Sequence, residues 1–373
     1  MKRLTLHTSI ILARLLVLLM LLPGCARNAP ASKSTIEISD MGGRVVAVPQ
    51  RIDKVFCSNP IGTVNIYGLA PEKLVGWNFV PSGNSAGYIE PKYLDLPALG
   101  VWMGAGATPN REEIARANPD VILCFWSPDQ AGIDMADSIQ EQTGIPVILM
   151  DYSITSTPEV FNLLGEYLDE TERAAQLSQY CEQTLEKLKE TVNAIPENER
   201  KSIFISEGAK GLQTDPVGSL HVQDALDLLH IRNVVDLPGT EGNGMGMPTV
   251  SPEQLLVWQP DAILVSEYNM GNNSMSNLVG EILSSRNWSN LNAVKNGAVY
   301  RIPQSPFSWF GKPPSAARLL GSLWLLDTLY PDYAKYDINQ ETKDFYALFY
   351  RLDLTDTQPE QLIGSDFKPA QAE

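Results

Sequence analysis

The amino-acid sequence predicts an α/β protein with two lobes, each built on a mainly parallel sheet, that are joined by a single long helix. Three observations support this prediction. Apolar runs of strand length alternate with helical patterns early in the chain, the alternation stops over residues 158–196, and it then resumes. Such alternation is typical of βαβ units and parallel sheets. A chain of 373 residues is also too long for one average domain and favours two.

The first residues have the features of an export signal. Lys2 and Arg3 precede an apolar run at Ile10–Leu22, which is too short to span a bilayer comfortably. The run ends in LPGC, which resembles a bacterial lipobox and predicts a lipid on Cys25, followed by a tether. An ordinary secretory signal with a coincidental cysteine is the alternative. A lipid at this position would hold the protein outside the cytoplasmic membrane.

The first lobe is predicted from apolar runs of strand length and from segments with helical spacing. The strands are expected at Val55–Ser58, Leu74–Trp77, Val121–Phe125 and Val147–Met150, and the helices at Gly62–Leu69, Arg111–Ala117 and Asp134–Gln142. Cys57 and Cys124 lie in these apolar runs, and with Cys181 they leave an odd number of cysteines after the signal. We therefore expect buried free thiols, with a bridge between Cys57 and Cys124 as the alternative.

The segment Pro158–Ile195 has no strand signal, and its apolar residues recur at spacings of three and four up to Pro196. This pattern predicts the linking helix. Strand and helix patterns then return. The strands are expected at Ile203–Ser206, Ala262–Ser266 and Val299–Ile302, the helices at Val222–Leu229, Pro252–Trp258 and Leu278–Ser284, and a helix-rich end at Ala316–Arg351.

These patterns divide the chain into six parts. They are a signal peptide (1–24), a lipid-anchored tether and lead-in (25–50), an N-terminal lobe (51–157), the linking helix (158–196), a C-terminal lobe with terminal helices (197–352) and a tail (353–373). The formal net charge of −16 excludes a nucleic-acid binder, which needs a basic surface. The charge suits an exported or tethered protein.

One phrase occurs twice, as NREEIARANPDVIL at Asn110–Leu123 and as SPEQLLVWQPDAIL at Ser251–Leu264. In both copies a polar residue suited to cap a helix is followed three residues later by Glu or Gln, which predicts a helix start. Glu112 and Glu253 then fall at the same position in the first turn. Either acid alone is explained by the helix dipole. Together they suggest one surface carboxylate per lobe, which suits docking onto a two-fold symmetric partner.

The mature chain resembles the solute-binding subunits of ABC importers, in the iron–siderophore/vitamin B12 class of periplasmic binding proteins. The matching phrases run in order from about residue 39 to 350: DMGGRVVAVPQRIDKVFCSN, LAPEKLVGW, the two repeated segments, GSLHVQDALDLLHIRNVVD, KNGAVYRIP and GKPPSAARLLGSLWLLDTLYPDY. The resemblance implies a class III fold that holds ligand between the lobes. It also implies that Glu112 and Glu253 meet arginines on a permease dimer with its ATPase subunits.

In such a fold the ligand meets the loops that follow the strands. The predicted ligand residues are Asn59, Trp77, Trp102, Met103 and Trp126 in the N-terminal lobe, and Met245, Met247, Tyr268, Trp309, Phe310 and Arg318 in the C-terminal lobe. Asn78, Glu207, Lys210 and Lys312 are further candidates. Aromatic and thioether groups suit a bulky, partly apolar chelate or macrocycle. Each of these residues can instead belong to the core.

A ferric siderophore is the favoured ligand, and a corrinoid, haem or nickel chelate remains open. The chain is expected to bind it as a monomer, without a cofactor. A bare metal ion is disfavoured because His221 and His230 lie nine residues apart on one helical stretch and therefore face in opposite directions. His221 as an axial donor to a chelated metal stays open, beside a cap or surface role.

Two other functions share some of these sequence features. A tethered chelate receptor or scavenger that works without a permease shares every motif except the need for paired glutamates. The pattern GNSAG at Gly83–Gly87 matches the nucleophile elbow of α/β-hydrolases. That elbow requires a strand directly before the serine and a helix directly after it, and the flanking prolines leave no room for them. No catalysis is predicted.

Overall fold

The structure is a computed structural model that describes residues 34–81, 83–102, 108–237, 247–267 and 277–364. It begins with a two-stranded sheet that the sequence patterns did not indicate, formed by β1 (Thr35–Ser39) and β2 (Val45–Pro49). The turn between them is anchored by the buried carboxylate of Asp40, which accepts hydrogen bonds from the backbone of Gly42 and Leu149. The lead-in is thereby fixed to the N-terminal lobe.

Three parallel strands form the sheet of the N-terminal lobe, in the order β3 (Val55–Cys57), β4 (Val121–Phe125) and β5 (Val147–Met150). Every residue of the three strands is buried, as expected for a parallel sheet covered on both faces. The helices of this lobe are α1 (Pro60–Leu69), α2 (Pro91–Leu94), α3 (Arg111–Ala117) and α4 (Gln130–Thr143).

The predicted strand Leu74–Trp77 is wrong, because this segment makes only isolated bridges. Leu74 pairs with Val55, but Trp77 turns away and pairs with Ala98. The segment's apolar run is explained by burial in the core, which does not require membership of the sheet.

The segment predicted as one linking helix consists of two helices, α5 (Thr157–Leu168) and α6 (Thr171–Ala194). The break lies at Asp169, which has a left-handed backbone with φ 58°. Asp is among the few residues with a Cβ that visit this conformation readily. The two helices then pack closely, and a Cβ on Gly165 would lie 2.3 Å from Ala174 Cβ. The long helix that joins the lobes is therefore α6, with 24 residues.

Four parallel strands form the sheet of the C-terminal lobe. Their order is β7 (Arg232–Asn233), β6 (Ser202–Ser206), β8 (Ala262–Val265) and β9 (Val299–Arg301). The helices after α6 are α7 (Gln223–Leu228), α8 (Pro252–Trp258), α9 (Leu278–Ser284), α10 (Asn292–Lys295), α11 (Ala317–Leu329), α12 (Ile338–Tyr350) and α13 (Gln358–Ile363). With two separate sheets and one joining helix, the predicted fold class is confirmed.

One continuous apolar core runs through both sheets and the helices between them. The C-terminal helices also reach the N-terminal lobe. Arg351, just after α12, donates hydrogen bonds to the carbonyl oxygens of Tyr67, Gly68 and Leu69 at the end of α1. Ala316 N donates to Asn65 Oδ1 at 3.1 Å. Because so much is packed between the lobes, we expect modest closure on ligand binding rather than a wide swing.

The three cysteines of the described chain, Cys57, Cys124 and Cys181, are free and buried. Burial raises the pKa of the Cys124 thiol to about 11. It raises the pKa of Cys57 and Cys181 as well. Thiols of this kind behave as small apolar side chains.

Candidate functional site

Three partly exposed aromatic residues lie at the carboxyl ends of the strands in the N-terminal lobe. Trp126 directly follows β4, and its backbone N–H donates to Met150 O at 2.9 Å. Trp102 is held beside the end of β3 by a backbone hydrogen bond to Ser58 O. Tyr152 follows β5, and burial raises the pKa of its phenol. Flat, partly apolar surfaces of this kind can hold an organic ligand.

The two asparagines predicted at this edge are buried and already hydrogen-bonded. Asn59 caps α1, and its Nδ2 donates to Phe125 O at 2.8 Å, which ties the ends of β3 and β4 together. Asn78 Nδ2 donates to Cys57 O and to Gly100 O, both at 2.9 Å. Both amides therefore support the shape of the edge.

The corresponding edge of the C-terminal lobe is charged. Glu207, directly after β6, and Asp215 are both buried, and both accept hydrogen bonds from the ammonium group of Lys312. Burial, followed by the nearby charge of Asp215, raises the pKa of Glu207 to about 6. Burial opposes the charge of Lys312, but the two carboxylates prevail and raise its pKa. A buried cation is thus shared between two acids.

Asp215 also orients His221. Its Oδ1 lies 3.0 Å from His221 Nδ1 and accepts a hydrogen bond from Ser219 Oγ at 2.8 Å. Burial acts to raise the pKa of Asp215, but the hydrogen bond from His221 and the charge of Lys312 outweigh it and lower that pKa. In a neutral imidazole, an ionised acceptor at Nδ1 favours the tautomer with the proton on Nδ1, which leaves Nε2 as an acceptor.

A second ion pair lies at the ends of the neighbouring strands. Arg301 closes β9, and its Nε lies 3.0 Å from Glu267 Oε2, just after β8. Glu267 Oε1 also accepts the backbone N–H of Leu278 at the start of α9. Burial raises the pKa of Glu267, although Arg301 acts in the opposite direction. The pair therefore connects two strand ends to the helix that follows.

Trp77, Trp309 and Phe310 are buried in the core, although the sequence placed them in ligand loops. The indole N–H of Trp77 donates to Tyr93 O at 2.7 Å, and that of Trp309 donates to Tyr346 Oη at 3.2 Å. All three aromatic rings lack the exposure that ligand contact needs, so we assign them to the core.

Arg318 is buried too, and it forms a contact between the lobes. Its guanidinium pairs with Asp224 on α7 and donates to Tyr152 O at 2.6 Å. Asp224 Oδ2 in turn accepts the backbone N–H of Ile154 at 2.8 Å. This arrangement favours a structural role for Arg318 over ligand binding.

Other predicted ligand residues are exposed or cannot be placed. Met247 is 41% exposed, and Lys210 is exposed as well. Met103, Met245, Tyr268 and the lipidation candidate Cys25 lie outside the described residues. Tyr152 was missed, although the rule that found Trp126, a residue just after an apolar strand, also finds it. No pattern marked Asp215, because it lies in an irregular loop.

The repeated phrase folds twice into the same local structure. Asn110 Oδ1 accepts the N–H of Glu113, and Ser251 Oγ accepts the N–H of Gln254, both at 3.2 Å. In the second copy Gln254 Oε1 also accepts the backbone N–H of Ser251, which completes a capping box. Helices α3 and α8 have seven residues each.

The equivalence continues through the end of each helix. Ile114 and Leu255 are the buried anchors of α3 and α8. Both helices end at a left-handed residue, and after each an aspartate supports the start of a neighbouring strand; Asp120 is buried and Asp261 is exposed. Asp120 Oδ2 accepts the N–H of Asp53 at 2.9 Å, and Asp261 Oδ2 accepts the N–H of Ser202 at 2.7 Å.

Glu112 and Glu253 are exposed at the same position of these two helices. Both lie in the first turn, as the sequence predicted. Each carboxylate is therefore available to a partner on the outer surface of its lobe.

A family model described as "Periplasmic binding protein" matches residues 72–306, which is well over half of the chain. The chain belongs to the periplasmic binding protein family. Binding proteins of this family capture a small ligand outside the cytoplasm and work with the permease and ATPase components of ABC transporters. They are transport proteins and not enzymes. The fold described above, two parallel sheets joined by a long helix, is the class III form.

Known proteins similar to this binding protein include an ABC transporter solute binding protein from Sulfurospirillum deleyianum, whose structure is solved. It is 29% identical with a TM-score of 0.77, and the alignment covers 87% of this chain and 98% of that one. The molybdate-binding protein MolA of Haemophilus influenzae is 34% identical over 107 residues, a segment that spans 28% of either chain. The structure of MolA bound to molybdate has a TM-score of 0.66 at 20% identity, covering 86% of this chain and 99% of that one.

The GNSAG segment forms part of a 3₁₀ helix at Gly83–Tyr88, which is not the strand–turn–helix of a nucleophile elbow. In the described part of the chain, no helix is both long and apolar enough to cross a membrane.

Proposed function

We propose that this binding protein is the substrate-binding subunit of an ABC importer for a metal-containing small molecule, and that it docks on the permease through Glu112 and Glu253. The observation that carries the docking proposal is the pair of matched helices. Helices α3 and α8 share a capping residue, a buried anchor, a left-handed end and an aspartate that supports a strand. The exposed glutamate recurs with these features. One carboxylate on each lobe suits a partner with two similar subunits.

The ligand is proposed to bind between the two strand-end edges. On one side it meets the aromatic surface of Trp102, Trp126 and Tyr152. On the other it meets the charged groups around Lys312 and His221. An acceptor at His221 Nε2, oriented by a carboxylate at Nδ1, is the arrangement commonly found behind histidines that bind metals. A bulky metal chelate fits these two surfaces together, and one with an open coordination position would also bind His221.

Among metal chelates, a ferric siderophore remains the favoured ligand. At the described part of the charged edge, Lys312 and Arg301 both form ion pairs with carboxylates. Because these pairs neutralise their positive charge, the two cations offer little attraction to an anionic ligand. This favours a chelate of low charge, such as a ferric hydroxamate, over a strongly anionic catecholate. Corrinoids, haem and nickel chelates remain alternatives.

Molybdate is the second candidate ligand. A stretch of 107 residues is 34% identical to a molybdate-binding protein, which is the observation that favours it. Backbone N–H groups and neutral side chains can bind an oxyanion without a full positive charge.

Ligand class is tested by tryptophan fluorescence, since Trp102 and Trp126 are partly exposed at the proposed site. The probes are ferric desferrioxamine, ferric enterobactin, cyanocobalamin, haemin, nickel–histidine and sodium molybdate. We expect saturable quenching by the hydroxamate complex, with loss of affinity in Trp126→Ala. Saturation by molybdate alone would replace the first candidate with the second.

Docking is tested with the probe that binds most tightly in the fluorescence assay. The ABC complex of the organism that makes this protein is reconstituted in nanodiscs, and the loaded binding protein is added to it. Glu112→Lys together with Glu253→Lys should abolish the stimulation of ATP hydrolysis by the loaded binding protein and leave probe affinity unchanged. Glu190→Lys, an exposed acid on α6, is the matched control and should have no effect. Full stimulation by the double variant would overturn docking through these two glutamates, whereas no stimulation by the wild-type protein would support a receptor or scavenger that needs no permease.

Anchoring through a lipid on Cys25 is also part of the proposal. Cells fed a labelled fatty acid should label the wild-type protein, and Cys25→Ala should release it from the membrane fraction. A variant that stays in the membrane would contradict lipid anchoring and leave the binding function untouched.

A further inference from the structure

Helix α8 carries an exposed apolar surface that its counterpart α3 lacks. Val257 is 81% exposed and Leu256 is 37% exposed. The equivalent positions of α3 are Ala115 and Arg116. Large apolar side chains with this much exposure on a short helix are unfavourable in water unless another surface covers them.

The apolar pair lies on the same side of the helix as Glu253. Leu256 and Val257 follow Glu253 by three and four residues, and residues at these spacings are neighbours on a helix surface. A partner that reaches the carboxylate of Glu253 therefore also meets the side chain of Val257. On α3 the corresponding neighbour of Glu112 is Arg116, which pairs with Glu113.

We infer that Leu256 and Val257 form the apolar half of the docking surface on the C-terminal lobe, and that they pack against the permease beside the cation that meets Glu253. This inference rests on the docking proposed above. The partner surface it requires has a basic side chain next to an apolar one. The N-terminal lobe, with Glu112 and Arg116, requires a more polar surface.

The location of the apolar pair supports this occupant over others. Docking interfaces bury apolar side chains at their centre and keep polar groups at the rim. Exclusion of water by Val257 would also strengthen an ion pair at Glu253, because the attraction between charges grows as the local dielectric falls. The two lobes would thus bind different surfaces of the permease. The binding protein would therefore dock in one orientation and not in the reverse one.

The experiment is photo-crosslinking in intact cells, with p-benzoylphenylalanine replacing Val257 in the full-length protein. The matched control is the same replacement of Val45, which is 68% exposed but lies on β2 and not on either docking helix. We expect position 257 to crosslink to a membrane-spanning ABC permease subunit, identified by mass spectrometry of the joined peptides, and position 45 to give no such product. A crosslink from position 257 to a second copy of this chain, or to lipid alone, would overturn the inference.

A second measurement separates this inference from the docking proposal. Val257→Ser should weaken binding to the permease complex in nanodiscs several-fold and leave melting temperature unchanged, whereas Val45→Ser should change neither. Glu253→Lys is measured in parallel. If Glu253→Lys weakens binding and Val257→Ser does not, the apolar contact is refuted and the docking proposal survives. If neither variant weakens binding, the docking proposal itself fails.

Discussion

The two lobes are alike on their outer helices and unlike at their strand ends. Helices α3 and α8 share the cap, the buried anchor and the supporting aspartate, so these positions are fixed by what a short helix before a buried strand requires. The strand ends differ: one edge offers aromatic rings and the other offers paired charges. Residues that hold the backbone are thus repeated, whereas residues that would touch the ligand have diverged.

The largest effect is expected where the lobes differ most, at the buried cation. Lys312→Met leaves Glu207 and Asp215 buried without their shared partner and should lower the free energy of unfolding by about 3–5 kcal/mol, measured by urea denaturation at pH 7. Lys210→Met, at an exposed lysine of the same lobe, is the control and should change it little. Equal losses in the two variants would mean that Lys312 contributes no more to the free energy of unfolding than an exposed lysine does.

The next prediction tests the similarity of the lobes. Ile114→Ala and Leu255→Ala each remove a buried anchor, one from each copy of the repeated phrase, and each should lower the free energy of unfolding by about 3 kcal/mol. The two losses are measured in the same urea titration. A negligible loss in one variant would show that the copies are alike in backbone only.

The buried acid Glu207 at the charged edge should make the stability of the protein depend on pH. Because folding raises the pKa of Glu207 from 4.5 to about 6, the folded protein holds this proton more tightly. The stability of the wild type should therefore fall as pH rises from about 4.5 to about 6, by about 2 kcal/mol. Glu207→Gln should remove the contribution of this residue from the free energy of unfolding measured across that range and so reduce the slope, while Glu267, whose pKa is also raised, keeps its own contribution. Glu190→Gln, at the exposed acid on α6, should retain the full slope.

The smallest difference is expected between the two helix caps. Asn110→Ala and Ser251→Ala should each lower the free energy of unfolding by about 1 kcal/mol. The loss should be the larger in Ser251→Ala, because only in the second copy does Gln254 Oε1 accept the N–H of the capping residue, so that the two bonds of the capping box hold each other in place. Thermal unfolding of the two variants side by side resolves the order, and a larger loss in Asn110→Ala would contradict it.

Strands and helices with strong local signals were predictable from the sequence. Strand β4 and helix α8 have the predicted bounds, because an uninterrupted apolar run and a capped helix start are decided by neighbouring residues. The break at Asp169 was not predictable, since the apolar spacing continues across it and only the packing of α5 on α6 reveals it.

The candidate site was predictable only in part. The rule that ligand residues follow strands found Trp126 and Glu207, which the structure places at the strand ends. It failed to separate them from Trp309 and Phe310, whose glycine- and proline-rich surroundings look like an exposed loop. Trp309 is covered by Tyr346 from α12, a contact between distant parts of the chain that no local pattern contains.

The bond between Arg351 and the end of α1 has a consequence for biosynthesis. Helix α1 is made early, but the guanidinium that binds its last carbonyl groups belongs to the end of α12, nearly three hundred residues later. The N-terminal lobe therefore cannot reach its final packing while the ribosome is still translating the middle of the chain. The N-terminal lobe can complete its packing only after α12 and Arg351 have been synthesised.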